Sequence, residues 1–472
     1  MTTQCNQRRF EFHAVSGRQI VAKFDGGAIT SDAGGLLLKQ VERRTGIIGR
    51  LAGCFRDYRN ANSIEHTVEE LIGQRIYGLA LGYEDLNDHD QLRHDPLMAV
   101  LVDKSDPEGK QRQRERDRGK ACAGRSTLNR LELTPADADE SQRYKKIVMD
   151  ESAVDRVLVE LFVQGEGQAP EQIVLDLDAT DDPVHGQQEG RFFHGYYNEY
   201  CYLPLYIFCG EYLLCTRLRP SNIDASAGAL EEIERIVAQI RQVWPEVQII
   251  LRGDSGFCRD KIMAWCEANS VEYVLGLAKN KRLVAAIGRE LQQAKREFEQ
   301  TGKPARVFQE LQYRTRKSWS RKRRVVAKAE HLEKGSNPRF VVTSLAAERM
   351  EGRALYEDLY CARGDMENRI KEQQLCLFAD RTSTAYLRSN QIRLYFSSFA
   401  YLLLQALRRL GLAGTEMARA RCDTIRLKLL KIGAQIRITV RKVWVSMASG
   451  CPFAKLFAEV YHKLERMQPL RC

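Results

Sequence analysis

Apolar positions along the chain change rhythm at a few places. A short stretch, "RQIVAKFDGG", predicts a strand; residues 31 to 100 then carry helical spacing. "SIEHTVEELIGQRIYGLALGYED" lines up Ile64, Val68, Leu71, Ile72, Ile76 and Leu79 on one face, and Ser31 or Asp32 can cap the helix in "SDAGGLLLKQVERRTGI". Residues 103 to 120, "DKSDPEGKQRQRERDRGK", are almost without apolar side chains and read as a solvated loop or linker. A helix is predicted over "SQRYKKIVMDESAVDRVLVELFVQ".

Strand signals then crowd together at "QIVLDLDA", "CYLPLYIFC" and "YLLCTRLR". A helix at "AGALEEIERIVAQIRQVW", the run "VQIILRGD", another helix and "EYVLGLA" follow. Three strands in succession and then alternation with helices predict a mixed sheet in an α/β region. From 281 to 345 a charged helix and short strands read as an insertion. Long helices resume at "GRALYEDLYCARGDMENRIKEQQLCLF" and "SNQIRLYFSSFAYLLLQALRRLG", and the chain from about 415 is basic and mixed. The expected segments are therefore 1–165, mainly helical; 166–280 and 346–414, two parts of one α/β core; 281–345, the insertion; and 415–472, basic.

Length adds that 472 residues suffice for roughly three domains. A formal charge of +11, from 73 Lys plus Arg against 62 Asp plus Glu, has the sign expected for a polyanionic partner. Thirteen cysteines contain no CxxC pair, which argues against a zinc site of that type and fits thiols buried in a reducing cytoplasm. "MTTQCNQRRFEF" lacks the apolar core of a signal peptide, and no run of about 18 apolar residues occurs, so a cytoplasmic protein without membrane association is expected.

Three acidic positions carry the chemistry. In "VLDLDATDDPVHG" four carboxylates fall within seven residues behind an apolar run. Period two puts Ile173, Leu175, Leu177 and Ala179 on one strand face and Val174, Asp176 and Asp178 on the other. Asp181 and Asp182, before Pro183, read as turn formers. In "VQIILRGDSGFCRD", Asp254 ends a buried strand, where it or Ser255 could also simply cap the next helix. In "YEDLYCARGDMENRIKEQQL", Tyr360, Arg363, Glu367 and Lys371 share one helical face. Two strand-end aspartates and a helix-borne glutamate suit divalent cations, which take hard oxygen ligands and can flank an in-line phosphoryl displacement from about 3.5–4 Å apart.

"DLDAT", "LRGDSG" and Y-x2-R-x3-E resemble the DDE-type transposases of bacterial insertion sequences, specifically the group with a Tyr-Arg-Glu-Lys motif. The spacings, 76 residues from Asp178 to Asp254 and 113 on to Glu367, and the segments "GYEDLNDHDQLRHDP", "STLNRLE" and "NQIRLYFSSFAYLLLQ" extend the resemblance over most of the chain. It implies an RNase H-like mixed five-stranded sheet flanked by helices, interrupted by a largely β insertion, with a helical N-terminal DNA-binding region. Asp178, followed by Thr180, becomes the first catalytic and metal-binding acid, with Asp176 as the alternative; Asp254 and Glu367 are the second and third. Two Mg²⁺ ions are implied, with Mn²⁺ able to substitute. Tyr360 and Arg363 are implied near the DNA backbone. The motif's last position falls on Gln374, while Lys371 lies three residues earlier on the face of Glu367, and the choice between them stays open.

The resemblance also implies DNA partners, the terminal inverted repeats and target DNA, and a homodimer or higher multimer on them. "RTRKSWSRKRRVVAK", residues 314 to 328, holds eight basic residues and no acid. Arg321, Arg323 and Arg324 could neutralise phosphates and Trp319 could hold a flipped base, or the tract could be an amphipathic strand with Trp319 packed locally. Residues 417 to 447, eight basic to one acidic, offer another DNA or subunit contact. Rival readings are an RNase H-like nuclease that does not transpose and an inactive DNA-binding relative. "GDSG" superficially matches a trypsin-like serine motif, but the helical N-terminus and α/β context argue against it. His185 and His194 read as ordinary turn histidines.

Overall fold

A computed structural model describes residues 9–467; Met1–Arg8 and Gln468–Cys472, with Cys5 and Cys472, lie outside the described residues. The chain divides into two compact units, 151–398 and 1–150 with 399–472. Among the described residues no helix is long and apolar enough to cross a membrane.

The unit 151–398 opens with α1 (Glu151–Glu166) and β1 (Gln172–Ala179), followed by the short strands β2 (Asp182–Pro183), β3 (Phe192–His194) and β4 (Glu199–Tyr202). Then come β5 (Leu205–Cys209), β6 (Tyr212–Arg217), α2 (Ala229–Val243), β7 (Gln248–Gly253), α3 (Asp260–Ala268) and β8 (Glu272–Leu277). After α4 (Gly288–Thr301) the strands are β9 (Ala305–Tyr313), β10 (Arg323–Leu332) and β11 (Arg339–Thr343), and α5 (Gly364–Leu377) follows. The large sheet runs β6-β5-β1-β7-β8-β11-β10-β9, with Gly335–Ser336 pairing β10 as a ninth strand. β1, β7 and β8 are parallel; β5 and β6 on one side and β11, β10 and β9 on the other are antiparallel to their neighbours.

The expected sheet of five strands is thus too small. The stretch read as a separate insertion contributes β9, β10 and β11 to the same sheet, because β11 pairs with β8 on one edge and with β10 on the other. Its strand β10 is buried along Arg323–Glu330 despite its basic residues. The period-two reading of β1 holds. Ile173, Leu175 and Leu177 join Ile249 and Leu251 of β7 and the buried face of α2 in one core. Each such side chain contributes about 1.5–3 kcal/mol by burial. On the opposite face, Val174, Ile250, Val274 and Val341 are covered by Leu355, Tyr356, Leu359 and Tyr360. The approach to α5 therefore lies over the same sheet face that carries Asp176 and Asp178.

Asp182 is not a solvated turn former. It sits in β2, buried, and neither carboxylate oxygen makes a well-formed hydrogen bond. Burial pushes its carboxyl well above the usual range; the neighbouring Thr382 hydroxyl opposes this, and the charges of Asp380 and Asp181 add to the rise. A raised folded-state value means stability is fullest below about pH 4, where the unfolded carboxyl is also protonated, and is lost as pH rises towards the folded value. Asp182→Asn is expected to flatten that loss and to be the more stable protein at pH 8, by on the order of 1–3 kcal/mol. Melting curves at pH 4 and pH 8 check this, and equal slopes for the two proteins would refute it.

In the unit formed by 1–150 and 399–472, helices dominate the first part: Gly35–Thr45, Ile47–Ala52, Val68–Leu81, Pro96–Leu101 and Arg125–Glu132. Val68–Leu81 starts at a capping box in which Thr67 and Glu70 each accept the other's backbone N–H. Its buried Gln74 and Arg75 are satisfied by His89, the Ala123 carbonyl and Glu132. Ala434–Ile438 and Val443–Met447 form a three-stranded sheet with Ile29–Thr30. The helix predicted to begin at 141 starts only at Glu151, because Ile147–Met149 pairs as a strand with Phe55–Asp57. Adjacent β-branched residues there satisfy a strand better than a helical face.

Candidate active site

Strand register sets the site. In the parallel pair β1/β7, Arg252 stands directly opposite Asp176, and the next pair along is Leu177 with Gly253. Facing residues in paired strands project to the same side. Asp178 and Asp254, each two residues further on, therefore emerge side by side where both strands end, the position at which an α/β sheet opens a crevice. A cleft of about 660 Å³ lies there, lined among others by Asp178, Asp254, Arg363, Glu367, Lys371 and Gln374.

Asp176, the alternative first acid, is committed elsewhere. It is buried and takes both forks of the Arg252 guanidinium, at 2.5 and 2.7 Å, and does not line the cleft. The third arm of Arg252 donates to the Leu359 carbonyl at 2.5 Å. One buried cation thus ties β1 and β7 to the chain entering α5. That chain is not a regular α-helix: Leu355–Tyr360 is a π-turn and Cys361–Arg363 a 3₁₀ turn before α5 begins. Such interruptions free backbone carbonyls and are frequent at functional sites. Regular α spacing therefore begins only at Arg363 and continues through Glu367 and Lys371; Arg363 and Glu367 form an ion pair at 2.5 Å.

Asp178 accepts the backbone N–H of Ala179 at 3.0 Å and lies 3.6 Å from Arg363. Burial pushes its carboxyl up to about 7; Arg363 opposes this, while the charges of Asp254 and Glu367 reinforce it. Asp254 does cap the turn after β7, accepting the N–H of Gly256 at 2.8 Å through one oxygen, and it also lines the cleft. Both Lys371 and Gln374 reach the cleft, but Gln374 donates to the Asp181 carbonyl at 3.1 Å, whereas Lys371 is exposed. His194 also lines the cleft and packs on Tyr197 at 4.9 Å; His185 does not line it.

As the side chains stand, no group of three or more His, Cys, Asp or Glu among the described residues is gathered to hold a metal ion. The Arg363 guanidinium occupies the space between Asp178 and Glu367 and supplies the positive charge. The donor chemistry nonetheless fits a hard divalent cation: three carboxylates face one cleft, and one of them is driven towards protonation by its own burial and its acidic neighbours.

No sequence pattern singles out Gly276 of β8. A Cβ there would lie 2.6 Å from the Tyr360 hydroxyl and 3.0 Å from the Ser255 backbone nitrogen, so only glycine lets the tyrosine and the Asp254 turn come this close. Gly276→Ala is expected to cost about 1–3 kcal/mol by overpacking. Adding Tyr360→Phe should return part of that loss in thermal melts; a double variant no more stable than Gly276→Ala would contradict the contact.

Part of the basic tract is engaged within the protein, while Arg314, Arg316, Lys317, Arg321 and Lys322 stay exposed. Trp319 is only 5% exposed, packs edge to face on Tyr313 at 5.8 Å and has Arg323 5.5 Å from its ring centre. Arg323 is buried between Asp260 and Glu267, and Arg324 is held by Glu310 and the carbonyls of Leu345 and Met350. Arg321 pairs with Glu267 from a more exposed position. None of the four lines the cleft. The exposed basic face expected here is reduced because acids distant in sequence meet it, and Trp319 takes the packed position.

A family model described as Transposase DDE domain group 1 matches residues 12–469. No curated protein matches the chain. Among solved structures, a piggyBac transposase in a synaptic complex with hairpin DNA is similar over 85% of this chain and 80% of that chain, at 11% identity and a TM-score of 0.41. The match over nearly the whole length identifies the chain as a DDE transposase, a member of transposase DDE domain group 1.

Proposed function

We propose that the cleft at the ends of β1 and β7 is the catalytic centre, with Asp178, Asp254 and Glu367 as its three acids. The carrying observation is that three side chains from three separate elements, 76 and 113 residues apart in sequence, line one cleft. DDE transposases work with divalent metals, and in this reading Asp178, Asp254 and Glu367 hold Mg²⁺, or Mn²⁺ in its place. When bound, the ions lower the cost of charge on the attacking and leaving oxygens in cleavage and strand transfer. Arg363 releases its carboxylates and turns to a DNA phosphate, as a guanidinium fork readily pairs with either oxyanion. Lys371 adds charge beside it, and Tyr360 orients the helix entrance.

The strand order β6-β5-β1-β7-β8, with β5 antiparallel to both neighbours and β7 and β8 parallel to β1, supports reading these five strands as an RNase H-like core. β11, β10 and β9 are then an extension of it. Arg321, like Arg314, Arg316, Lys317 and Lys322, is exposed and placed to meet phosphate, while Trp319, Arg323 and Arg324 fix the start of β10. In the other unit, Arg437 and Lys442 flank the exposed ring of Trp444 at 5.8 and 5.3 Å, which supports a DNA or subunit contact there. The enzyme binds the terminal inverted repeats of its element and brings two ends together as a dimer or higher multimer.

Incubating the full chain with Mg²⁺, a duplex bearing the repeats that flank its gene and a target plasmid tests this. Cleavage at the repeat ends followed by joining is the expected result. Cleavage without joining would favour a nuclease, and binding without cleavage an inactive relative.

A further inference from the structure

The hairpin β3/β4 leaves the strand that carries Asp178 and returns beside it, and its surface is unusually aromatic. Its register pairs Phe192 with Cys201, Phe193 with Tyr200 and His194 with Glu199, around the turn "GYYN". Phe192, Phe193, Tyr196 and Tyr200 are all exposed, Tyr196 to 86%. Leaving four large rings in water opposes the hydrophobic effect, and such patches mark binding surfaces.

The rings are held rather than loose. Tyr197 donates to the Ala179 carbonyl at 3.4 Å, next to Asp178, and the Phe192 carbonyl accepts the Ser221 hydroxyl at 2.9 Å. Tyr196 meets Tyr197 edge to face at 5.0 Å, and Phe193 meets Tyr200 likewise at 5.6 Å. Arg191 places its guanidinium 4.5 Å from the centre of the Tyr200 ring. Tyr196 and Tyr197 also line the cleft beside His194, while Phe193 and Tyr200 with Arg191 stand on the other face of the same hairpin, so the rings wrap its tip from the cleft outward.

We propose that this hairpin is a stacking platform for unpaired nucleobases of the DNA strand lying in the cleft. Tyr196 takes the base nearest the acids, and Tyr200 with Arg191 takes one further out, where the strand rounds the hairpin tip to its outer face. Anchored aromatic rings with an adjoining cation match what single-stranded nucleic acid requires, since every base offers a π-face and every nucleotide a negative charge. The inference rests on reading the cleft as a DNA site, and it assigns to the hairpin the base contact that buried Trp319 does not offer.

The test uses the full chain without divalent ions and two repeat-end duplexes, one fully paired and one with a three-nucleotide unpaired 3′ extension carrying 2-aminopurine. Wild type should prefer the unpaired probe and quench its fluorescence. Tyr196→Ala with Tyr200→Ala should lose the quenching and bind the unpaired probe about tenfold or more weakly, with affinity for the paired probe and its salt dependence unchanged. Tyr196→Phe should keep the quenching. A double alanine variant that quenches and prefers the unpaired probe as wild type does would overturn the proposal. So would an intact preference accompanied by a changed oligomeric state in sedimentation, which would make the patch a contact for a second copy. Wild type binding neither probe would overturn the DNA reading of the cleft itself.

Discussion

Asp178→Asn is expected to reduce cleavage of a repeat-end duplex by about a thousandfold, the loss of several kcal/mol of charge stabilisation at the reacting phosphate. The amide keeps the size of the carboxylate and can still accept the Ala179 N–H, so the fold has no reason to change. What it removes is one negative oxygen from the group that faces Arg363, Asp254 and Glu367. DNA affinity should be retained or rise, since a negative charge leaves a surface that meets phosphates. Asp254→Asn is expected to behave alike, whereas Asp182→Asn, at a residue that does not line the cleft, should cut as wild type does. Rates from single-turnover cleavage on a labelled duplex separate these outcomes. Full activity in Asp178→Asn would remove that residue from the catalytic set.

Arg252→Met should destabilise the protein by about 3–5 kcal/mol, because Asp176 would be left buried without its cation. The double variant Asp176→Leu with Arg252→Met replaces the pair by apolar side chains of similar bulk and should recover most of that stability. It should not recover cleavage. Arg252 also holds the Leu359 carbonyl, and without that tie the turns that carry Tyr360 and Arg363 over the sheet lose their anchor. Denaturant melts and single-turnover rates on the same samples test both halves. If the stable double variant cuts at the wild-type rate, the ion pair serves stability alone.

Both effects trace to features unequally visible in the chain. The alternation in "QIVLDLDA" suffices to put Asp176 and Asp178 on one face, and "IILRGD" suffices to end a buried strand at Asp254. Neither reveals which strand residues stand opposite each other, and that register is what commits Asp176 to Arg252 and leaves Asp178 at the cleft. A signal was available: an arginine inside a buried run demands an acid, and Asp176 is the acid embedded in the companion run.

The basic tract shows the opposite failure. Eight cations without an acid read locally as a solvated face, yet Asp260, Glu267 and Glu310 arrive from elsewhere to neutralise Arg323 and Arg324. Local charge density cannot anticipate long-range partners. For the same reason the sheet is larger than local patterns predict, since β9 and β10 join it only through β11. Gly276 was invisible because its importance lies in a tyrosine hydroxyl that approaches from 84 residues away, at Tyr360.

The most direct measurement is the anomalous scattering of Mn²⁺ in crystals of the protein bound to an uncleaved repeat-end duplex. Density is expected in the cleft between Asp178, Asp254 and Glu367, with Arg363 turned from its carboxylates to a phosphate, and Asp254→Asn should weaken or abolish it. Saturating Mn²⁺ that leaves the three acids bare, or that binds elsewhere along the DNA while cleavage proceeds, would contradict the account.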